Sequence, residues 1–262
     1  MRKYVSVYQQ LLKVNFAALT AYRANFINSV ISSLAWGFFS LYSIVVLTSR
    51  VNSAYGWRRE ELLFLNGMYG IIVGIFHMFL SINMRRFSRV IHHGELDFIL
   101  AKPIDPQFAM SLWLVDYTMI LRIIMAFLYA TWIATQFHLG LSFAHLILMG
   151  VFSLASLLLL YSLWFAVLTI LIWFTNLTNL VVLMFSFESL ARFPREMSWQ
   201  LASYFLFIVF PLTLVVNTPA RAYLGRLEGW EGLVLIGIAS GLFILARTFW
   251  RFALRYYTSA SS

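Results

Sequence analysis

Read from the N-terminus, the chain alternates long apolar runs with short polar breaks, and the runs have the length that a bilayer demands. A helix needs about 20 mostly apolar residues to cross ~30 Å of hydrocarbon. Phe26–Thr48 is such a run and holds no Asp, Glu, Lys, Arg or His. Leu62–Met84 is a second, interrupted only by His77. A third, Ser111–Gln136, includes Asp116 and Arg122. Ala144–Phe174 is the longest stretch without Asp, Glu, Lys or Arg, and must tilt or project beyond the bilayer. Past Asn176 the pattern fragments. Leu177–Leu190 is apolar apart from Glu188 and meets the polar break Ala191-Arg192-Phe193-Pro194-Arg195-Glu196. Leu201–Val216 carries Pro211 and ends in Asn217-Thr218-Pro219, and Leu233–Ala246 extends to about Trp230–Trp250.

The pattern predicts an all-α polytopic membrane protein, one transmembrane domain over residues 1–262 with spans at about 26–48, 62–84, 111–136, 144–174, 176–191 and 230–250. Residues 85–110 form an inner loop and residues 192–229 an outer region. Within that region Trp199–Ala220 is expected as a re-entrant hairpin bent at Pro211, because short Pro-broken segments at membrane depth survive only when packed in protein or lining a cavity. The alternative keeps 176–190 on the inner side and makes 201–217 the crossing, which places Arg192 and Arg195 inside and is slightly favoured by the positive-inside rule. Ahead of the first span, Tyr4, Val7, Tyr8, Leu11, Leu12, Val14, Phe16 and Leu19 recur at helical spacing among Gln9, Gln10, Lys13 and Asn15. Residues 1–25 therefore read as an amphipathic interfacial helix rather than a signal peptide, since no small-residue cleavage site follows them. No soluble domain and no internal repeat is visible.

Composition sharpens the class. Apolar and aromatic residues make up 61% of the chain and charged ones 11%, against about 45–50% and about 25% in soluble domains. Disorder and an ordinary soluble enzyme are excluded. The formal charge of +9, from 19 Lys+Arg and 10 Asp+Glu, would suggest nucleic acid in a soluble chain. Here its placement follows the positive-inside rule. Eleven cations (Arg2, Lys3, Lys13, Arg23, Arg85, Arg86, Arg89, Lys102, Arg247, Arg251, Arg255) fall on one side if both termini are cytoplasmic and six crossings are made. The outer loops hold Arg50, Arg58, Arg59, Arg192, Arg195, Arg221 and Arg226 together with Glu60, Glu61, Glu196, Glu228 and Glu231. The reading is a multi-pass membrane protein that contacts lipid and no nucleic acid. The absence of cysteine removes disulfides and thiolate chemistry.

The 85–110 loop is the most informative segment. Leu96, Ile99 and Leu100 share one face of a short helix, Gly94 breaks the chain before it, and Lys102-Pro103 stops it. A short helix between polar hinges is what a membrane subunit needs to seat in a groove of a soluble partner. The string Gly-Glu-Leu-Asp-x-x-Leu-x-Lys-Pro at Gly94–Pro103 resembles a signature of bacterial ABC-2-type transporter permeases, in the branch described as uncharacterised ABC transport permeases. The order of elements is similar too: an interfacial helix, two spans, a cytoplasmic coupling helix, three spans, an outer re-entrant region and a last span. Arg192-Phe193-Pro194, Trp199 and Pro211 are similar to that family's outward connection. The resemblance implies a permease of the bacterial inner membrane that works with two copies of a separate ATPase subunit and a second permease, identical or homologous, and that moves its substrate outward. It favours 176–191 over 201–217 as the fifth crossing. It implies ATPase coupling through Gly94, Glu95, Leu96, Asp97, Leu100, Lys102 and Pro103. No cofactor is expected on this chain. ATP and Mg²⁺ belong to the partner, because no Gly-x-x-x-x-Gly-Lys-Ser/Thr occurs here.

Among single residues, His92-His93 reads as a solvated or partner-contacting pair rather than a metal site, since neighbours on a helix diverge by ~100°. Asp116 and Arg122 are intramembrane charges, which usually face protein or a cavity. They lie about 120° apart around a helix, a poor intrahelical pair. Asp116 can reach inner water, whereas Arg122 either meets another helix or lines the translocation path. Glu188 is placed to pair with Arg192 at i+4, and His77 reads as a hydrogen-bonded packing residue. Gly70-x-x-x-Gly74, with Gly67, and Gly237-x-x-x-Gly241 permit close helix approach and are candidate dimer contacts. Two rival functions remain. An intramembrane enzyme would need converging His, Asp or Ser, and an ion-coupled secondary transporter would favour paired buried carboxylates.

Overall fold

In the computed structural model the described residues are 2–21, 23–50, 52–139, 142–175, 177, 179–197 and 206–258, the side chains at 2, 3, 20, 21, 23, 25 and 206–208 excepted. Among the described residues the regular structure is helical apart from one two-stranded hairpin. α1 (Arg2–Ala21) precedes α2 (Arg23–Leu47); β1 (Ser53–Ala54) and β2 (Trp57–Arg58) pair antiparallel, Ser53 with Arg58 and Ala54 with Trp57. α3 (Arg59–Phe76) passes through a π turn (His77–Ser81) into α4 (Ile82–His92) without a break. α5 (Leu96–Leu100) and α6 (Pro106–Ser111) are short; α7 (Met119–Gln136) and α8 (Phe143–Thr169) are long. α9 (Leu180–Glu188) runs into a 3₁₀ turn (Ser189–Arg192), and α10 (Leu206–Tyr223) and α11 (Gly229–Tyr256) close the chain.

Five stretches among the described residues are long and apolar enough to cross a membrane: Phe26–Leu47, Arg59–His92, Met119–Gln136, Phe143–Ile172 and Gly229–Tyr256. The protein is an all-α, multi-pass membrane protein. The second stretch exceeds the expected 62–84 at both ends, so the helix continues to His92 and the loop expected from Arg85 begins at His93. The third is shorter than expected. Helix begins at Met119, and 112–118 is irregular because its backbone bonds to the side chain of Asn83 in place of its own turns: Asn83 Oδ1 accepts from the N–H groups of Trp113 and Leu114 at 3.1 and 2.8 Å, and Asn83 Nδ2 donates to Leu114 O at 2.8 Å. Asp116 thus sits ahead of α7 and not within a span.

The core forms where α3–α4, α8, α10 and α11 meet. α8 and α11 run parallel, as the pairs Tyr161–Phe243 (6.2 Å between ring centroids) and Phe165–Trp250 (5.3 Å) show. Phe87 of α4 closes a buried triad at 5.4 Å from Phe165 and 5.5 Å from Trp250, within the range of favourable aromatic packing. α3 packs instead on α7 through glycine. A Cβ at Gly67, Gly70 or Gly74 would come within 2.9, 2.7 and 2.7 Å of Ala130, Ala126 and Ile123. This stripe is therefore an interface within the chain and not a dimer contact. Gly237 and Gly241 meet nothing within 4 Å.

Two further expectations change. α10 continues through both Pro211 and Pro219, so Pro211 is not the turn of a hairpin. It is tolerated because Val209, Leu212, Leu214, Val215, Val216 and Ala220 are all buried among neighbouring helices. Trp199 and the rest of 198–205 lie outside the described residues. The segment from Thr175 to Glu196 runs alongside the whole α3–α4 helix: the carbonyl of Thr175 lies 3.4 Å from His92 Nδ1, while Glu196 accepts from the indole N–H of Trp57 at 3.2 Å. Only nine of its residues are in α9, about 14 Å of helix.

α1 lies along the segment that follows α5. Asn15 Nδ2 donates to Trp113 O at 3.0 Å, the Tyr117 hydroxyl donates to Leu12 O at 3.0 Å, and the Tyr4 ring meets Phe108 edge-on at 5.1 Å.

Candidate functional site

The chain reverses after α4 through Gly94, whose φ of +69° is a left-handed value that suits glycine. The turn is closed by Gly94 N–H to Ile91 O at 3.1 Å and Glu95 N–H to Val90 O at 2.9 Å. α5 follows with its faces opposite to the expected use. Leu96 and Ile99 are buried and belong to the core, and Leu100 packs against it. The side chain that projects is Phe98, 75% exposed, flanked by exposed Glu95 and Pro103. Leu96 and Leu100 thus anchor the short helix to the body of the protein, because an apolar i, i+4 face turns to the protein's own core whenever one is in reach. Asp97 is half-buried beside Tyr257, whose hydroxyl is pushed up from its ordinary value by burial first and by the Asp97 carboxylate next. Lys102 folds inward as well. Its Nζ lies 3.8 Å from the centre of the Trp113 ring, which Arg86 also approaches at 5.5 Å. Burial, then the Arg86 charge, holds the Lys102 ammonium below its ordinary value.

Just beyond, Asp105-Pro106 starts α6 as an N-cap with proline at the first helical position; Asp105 Oδ1 accepts from Phe108 N–H at 3.2 Å. The same carboxylate receives both Nη atoms of Arg247 from α11, with Nη1 at 2.9 Å from Oδ1. That bidentate bond is the main reason the Asp105 carboxyl lies below the usual range. Arg247 Nη1 also donates to Gln107 Oε1 at 2.7 Å, and Gln107 Nε2 donates to the Tyr161 hydroxyl at 2.8 Å. Ser111 Oγ lies 2.9 Å from the same hydroxyl. Five side chains thus fasten the α5–α6 loop to α8 and α11. They line one side of a cavity of about 390 Å³ closed by Leu80, Leu158 and Phe243. The sequence reading missed this linkage, although Asp105-Pro106 is a helix-start signal.

All four intramembrane candidates meet in one place. Asp116, Arg122, Glu188 and His77 line a cavity of about 780 Å³ between α2, α3, α7 and α9. Glu188 does not pair with Arg192. Its Oε1 lies 2.7 Å from His77 Nε2, while Arg192 stands over the Tyr69 ring at 5.9 Å. The 3₁₀ turn at 189–192 advances 120° per residue and carries Arg192 off the face of Glu188. Asp116 Oδ1 accepts from the N–H of Thr118 at 3.1 Å and from its hydroxyl. Among the described residues Arg122 makes no hydrogen bond and no ion pair. The α2 wall adds Asn28, Ser29, Ser32, Ser33 and Trp36.

At the opposite end of the α3–α4 helix from α5, charges are paired closely. Glu231 Oε1 receives Arg195 Nη1 at 2.5 Å and Arg221 Nη1 at 2.9 Å; Glu196 Oε1 receives Arg195 Nε at 3.2 Å and also Arg221. Trp57 donates to Glu196 and lies under Arg221 at 5.3 Å. Arg226 bonds Glu61 at 2.8 Å, and Glu61 in turn accepts from the Arg58 N–H that opens α3.

Searches of the curated proteins and of the solved structures found no match. A family model described as ABC-2 family transporter protein matches residues 33–261. That range takes in most of α2 and every element after it, including the α5–α6 loop and the four helices around the cavity. The chain belongs to the ABC-2 family of transporter proteins and is a membrane transport subunit of that family.

Proposed function

We propose that this chain is the permease of an exporter in a bacterial inner membrane, driven by a separate ATPase subunit that docks on the outward face of α5. Both termini lie on the cytoplasmic side, as does the α5–α6 loop. The course of Thr175–Glu196 beside the α3–α4 helix supports 176–191 as the outward crossing, which leaves 192–229 on the outer side. Two ATPase copies and a second permease, identical or homologous, complete the assembly, with ATP and Mg²⁺ held by the ATPases. The 780 Å³ cavity is the transport path for a hydrophobic or amphipathic substrate.

One observation carries this reading: the loop that presents Phe98 is bonded to α8 and α11 and leads directly into Asp116 and Thr118 in the cavity wall. A displacement of α5 has a mechanical route to both places. Phe98 and Glu95 take the docking role, Gly94 and Pro103 bound the lever, and Leu96, Leu100 and Lys102 hold it in shape, with Asp97 steadied beside Tyr257. In the reconstituted complex, Phe98→Ala and Glu95→Ala are expected to uncouple ATP hydrolysis from transport while the subunit still folds. Unchanged coupling in both variants would reject α5 as the docking element.

The His77–Glu188 contact favours a second reading, in which proton movement drives transport. Depleting ATP and collapsing the proton gradient separately in vesicles distinguishes the two.

A further inference from the structure

We propose that the cavity between α2, α3, α7 and α9 binds the headgroup of an amphipathic anion, with Arg122 as its charged contact. The inference rests on reading that cavity as the transport path and adds the sign of the ligand. It follows from which charge in the wall is left over. Asp116 is engaged by the N–H and hydroxyl of Thr118. Glu188 has one oxygen on His77; the other, Oε2, is buried without a hydrogen-bond partner among the described residues and presents no surface to the cavity, so it is closed to a ligand. Arg122, half-buried on α7, is the charged side chain of that wall with no bond among the described residues. A guanidinium carries five N–H donors and stays charged at any working pH, so at membrane depth it requires acceptors. The facing wall gives a headgroup further donors. Asn28, Ser29, Ser32 and Ser33 form one polar strip of α2, although Ile27, Ile31, Phe38 and Phe39 on the same helix are exposed as lipid-facing residues are. Trp36, one turn further along and 68% exposed, gives an acyl or aryl tail an apolar surface beside the strip. A phosphate, sulfate or carboxylate joined to an apolar tail matches this arrangement, and a quaternary ammonium does not.

The test uses the full chain in nanodiscs of zwitterionic phosphatidylcholine, titrated with dodecyl phosphate, dodecyltrimethylammonium and inorganic phosphate, with tryptophan fluorescence as the readout. Dodecyl phosphate is expected to give a saturable change that Trp36→Phe reduces. Inorganic phosphate, the headgroup without a tail, is expected to bind at least tenfold more weakly, and the ammonium not to saturate. Arg122→Gln is expected to weaken dodecyl phosphate at least tenfold and Arg122→Lys to recover most of the loss. Ser32→Phe, which fills the cavity and keeps the charge, is expected to block binding and covers the case in which Arg122→Gln fails to fold. Equal affinity for the ammonium, or an Arg122→Gln affinity within twofold of the parent, would overturn the proposal. If inorganic phosphate binds as tightly as dodecyl phosphate, the tail has no role and the proposal also falls. ATPase stimulation in the full complex separates this from the transport reading. Arg122-dependent binding without stimulation rejects the cavity as a transport path and leaves the anion site standing. Stimulation by either amphiphile regardless of Arg122 keeps the path and rejects the anion site.

Discussion

The Arg195–Glu196–Arg221–Glu231 cluster and the cavity wall both combine arginine with carboxylates and differ in how these are paired. In the cluster, two arginines face two glutamates, each charged side chain has an opposite partner, and Glu231 is only 1% exposed. In the wall, Asp116 is held by Thr118 and one oxygen of Glu188 by His77, while Glu188 Oε2 and the Arg122 guanidinium have no hydrogen-bond partner among the described residues. A neutralised cluster fastens elements together: here it joins the end of the Thr175–Glu196 segment to the α10–α11 turn and to β2. An unneutralised charge held at membrane depth is a cost to the fold that only a ligand or a partner removes. The contrast separates clasp from site without reference to which residues are charged.

Breaking the clasp gives the largest effect. Glu231→Ala leaves Arg195 and Arg221, 19% and 13% exposed, with Glu196 as their shared partner, and is expected to cost about 3 kcal/mol, the lower end for removal of one partner of a buried pair. Thermal unfolding in detergent measures it, and a change under about 1 kcal/mol would class the cluster with surface ion pairs. Tyr161→Phe comes next. It strips the hydroxyl shared by Gln107 and Ser111 and is expected to cost about 1–3 kcal/mol. It should also loosen the coupling of ATP hydrolysis to transport, an effect absent from the clasp variant Trp57→Phe. The Asp105–Arg247 bond sharpens the comparison through pH. Because the Asp105 carboxyl is lower in the fold than in the unfolded chain, its contribution is full above the ordinary carboxylate value and is lost as pH falls through the depressed one. The melting difference between parent and Asp105→Asn should therefore stay constant from neutral pH to about pH 4 and shrink below it. A difference that already shrinks at pH 6 would point to another group. Smallest is Arg122→Gln, expected within about 0.5 kcal/mol of the parent or slightly more stable, by the same melts. A loss as large as that at Glu231 would place Arg122 among the clasps.

The spans are legible in the sequence because lipid imposes the same demand on every residue of a crossing, and a run such as Phe26–Leu47 cannot hide it. The boundaries at 85 and 111 are less legible, since they depend on tertiary bonds: Asn83 holds 113–114 out of helix across about 30 residues of chain. The cavity was legible only as a set of suspicious residues. Intramembrane polarity singled out His77, Asp116, Arg122 and Glu188, but their convergence, and the pairing of His77 with a residue 111 positions away, is a property of packing. In α5 the i, i+3, i+4 rule identified the right face and the wrong recipient. Periodicity says which side of a helix is apolar and nothing of whether that side meets its own core or a partner; Phe98, off the stripe, is the side chain left exposed. The glycines of α3 show the same limit, with close approach legible and the approaching helix not.

The π turn at His77–Ser81 has a consequence for the phase of the long helix. A π turn takes up roughly one residue more than an α turn, about 100° of azimuth. Above it, Gly67, Gly70 and Gly74 point at α7; below it, Phe87 points at Phe165 and Trp250. The two halves are read by different neighbours, and the extra residue is the offset between the two readings. Deleting one residue from 77–81 would leave the glycine stripe in place and swing everything below it by about a quarter turn. Phe87 would leave its triad and Asn83 would lose Trp113 and Leu114. In that sense the offset at 77–81 sets where the loop bearing Phe98 leaves the helix.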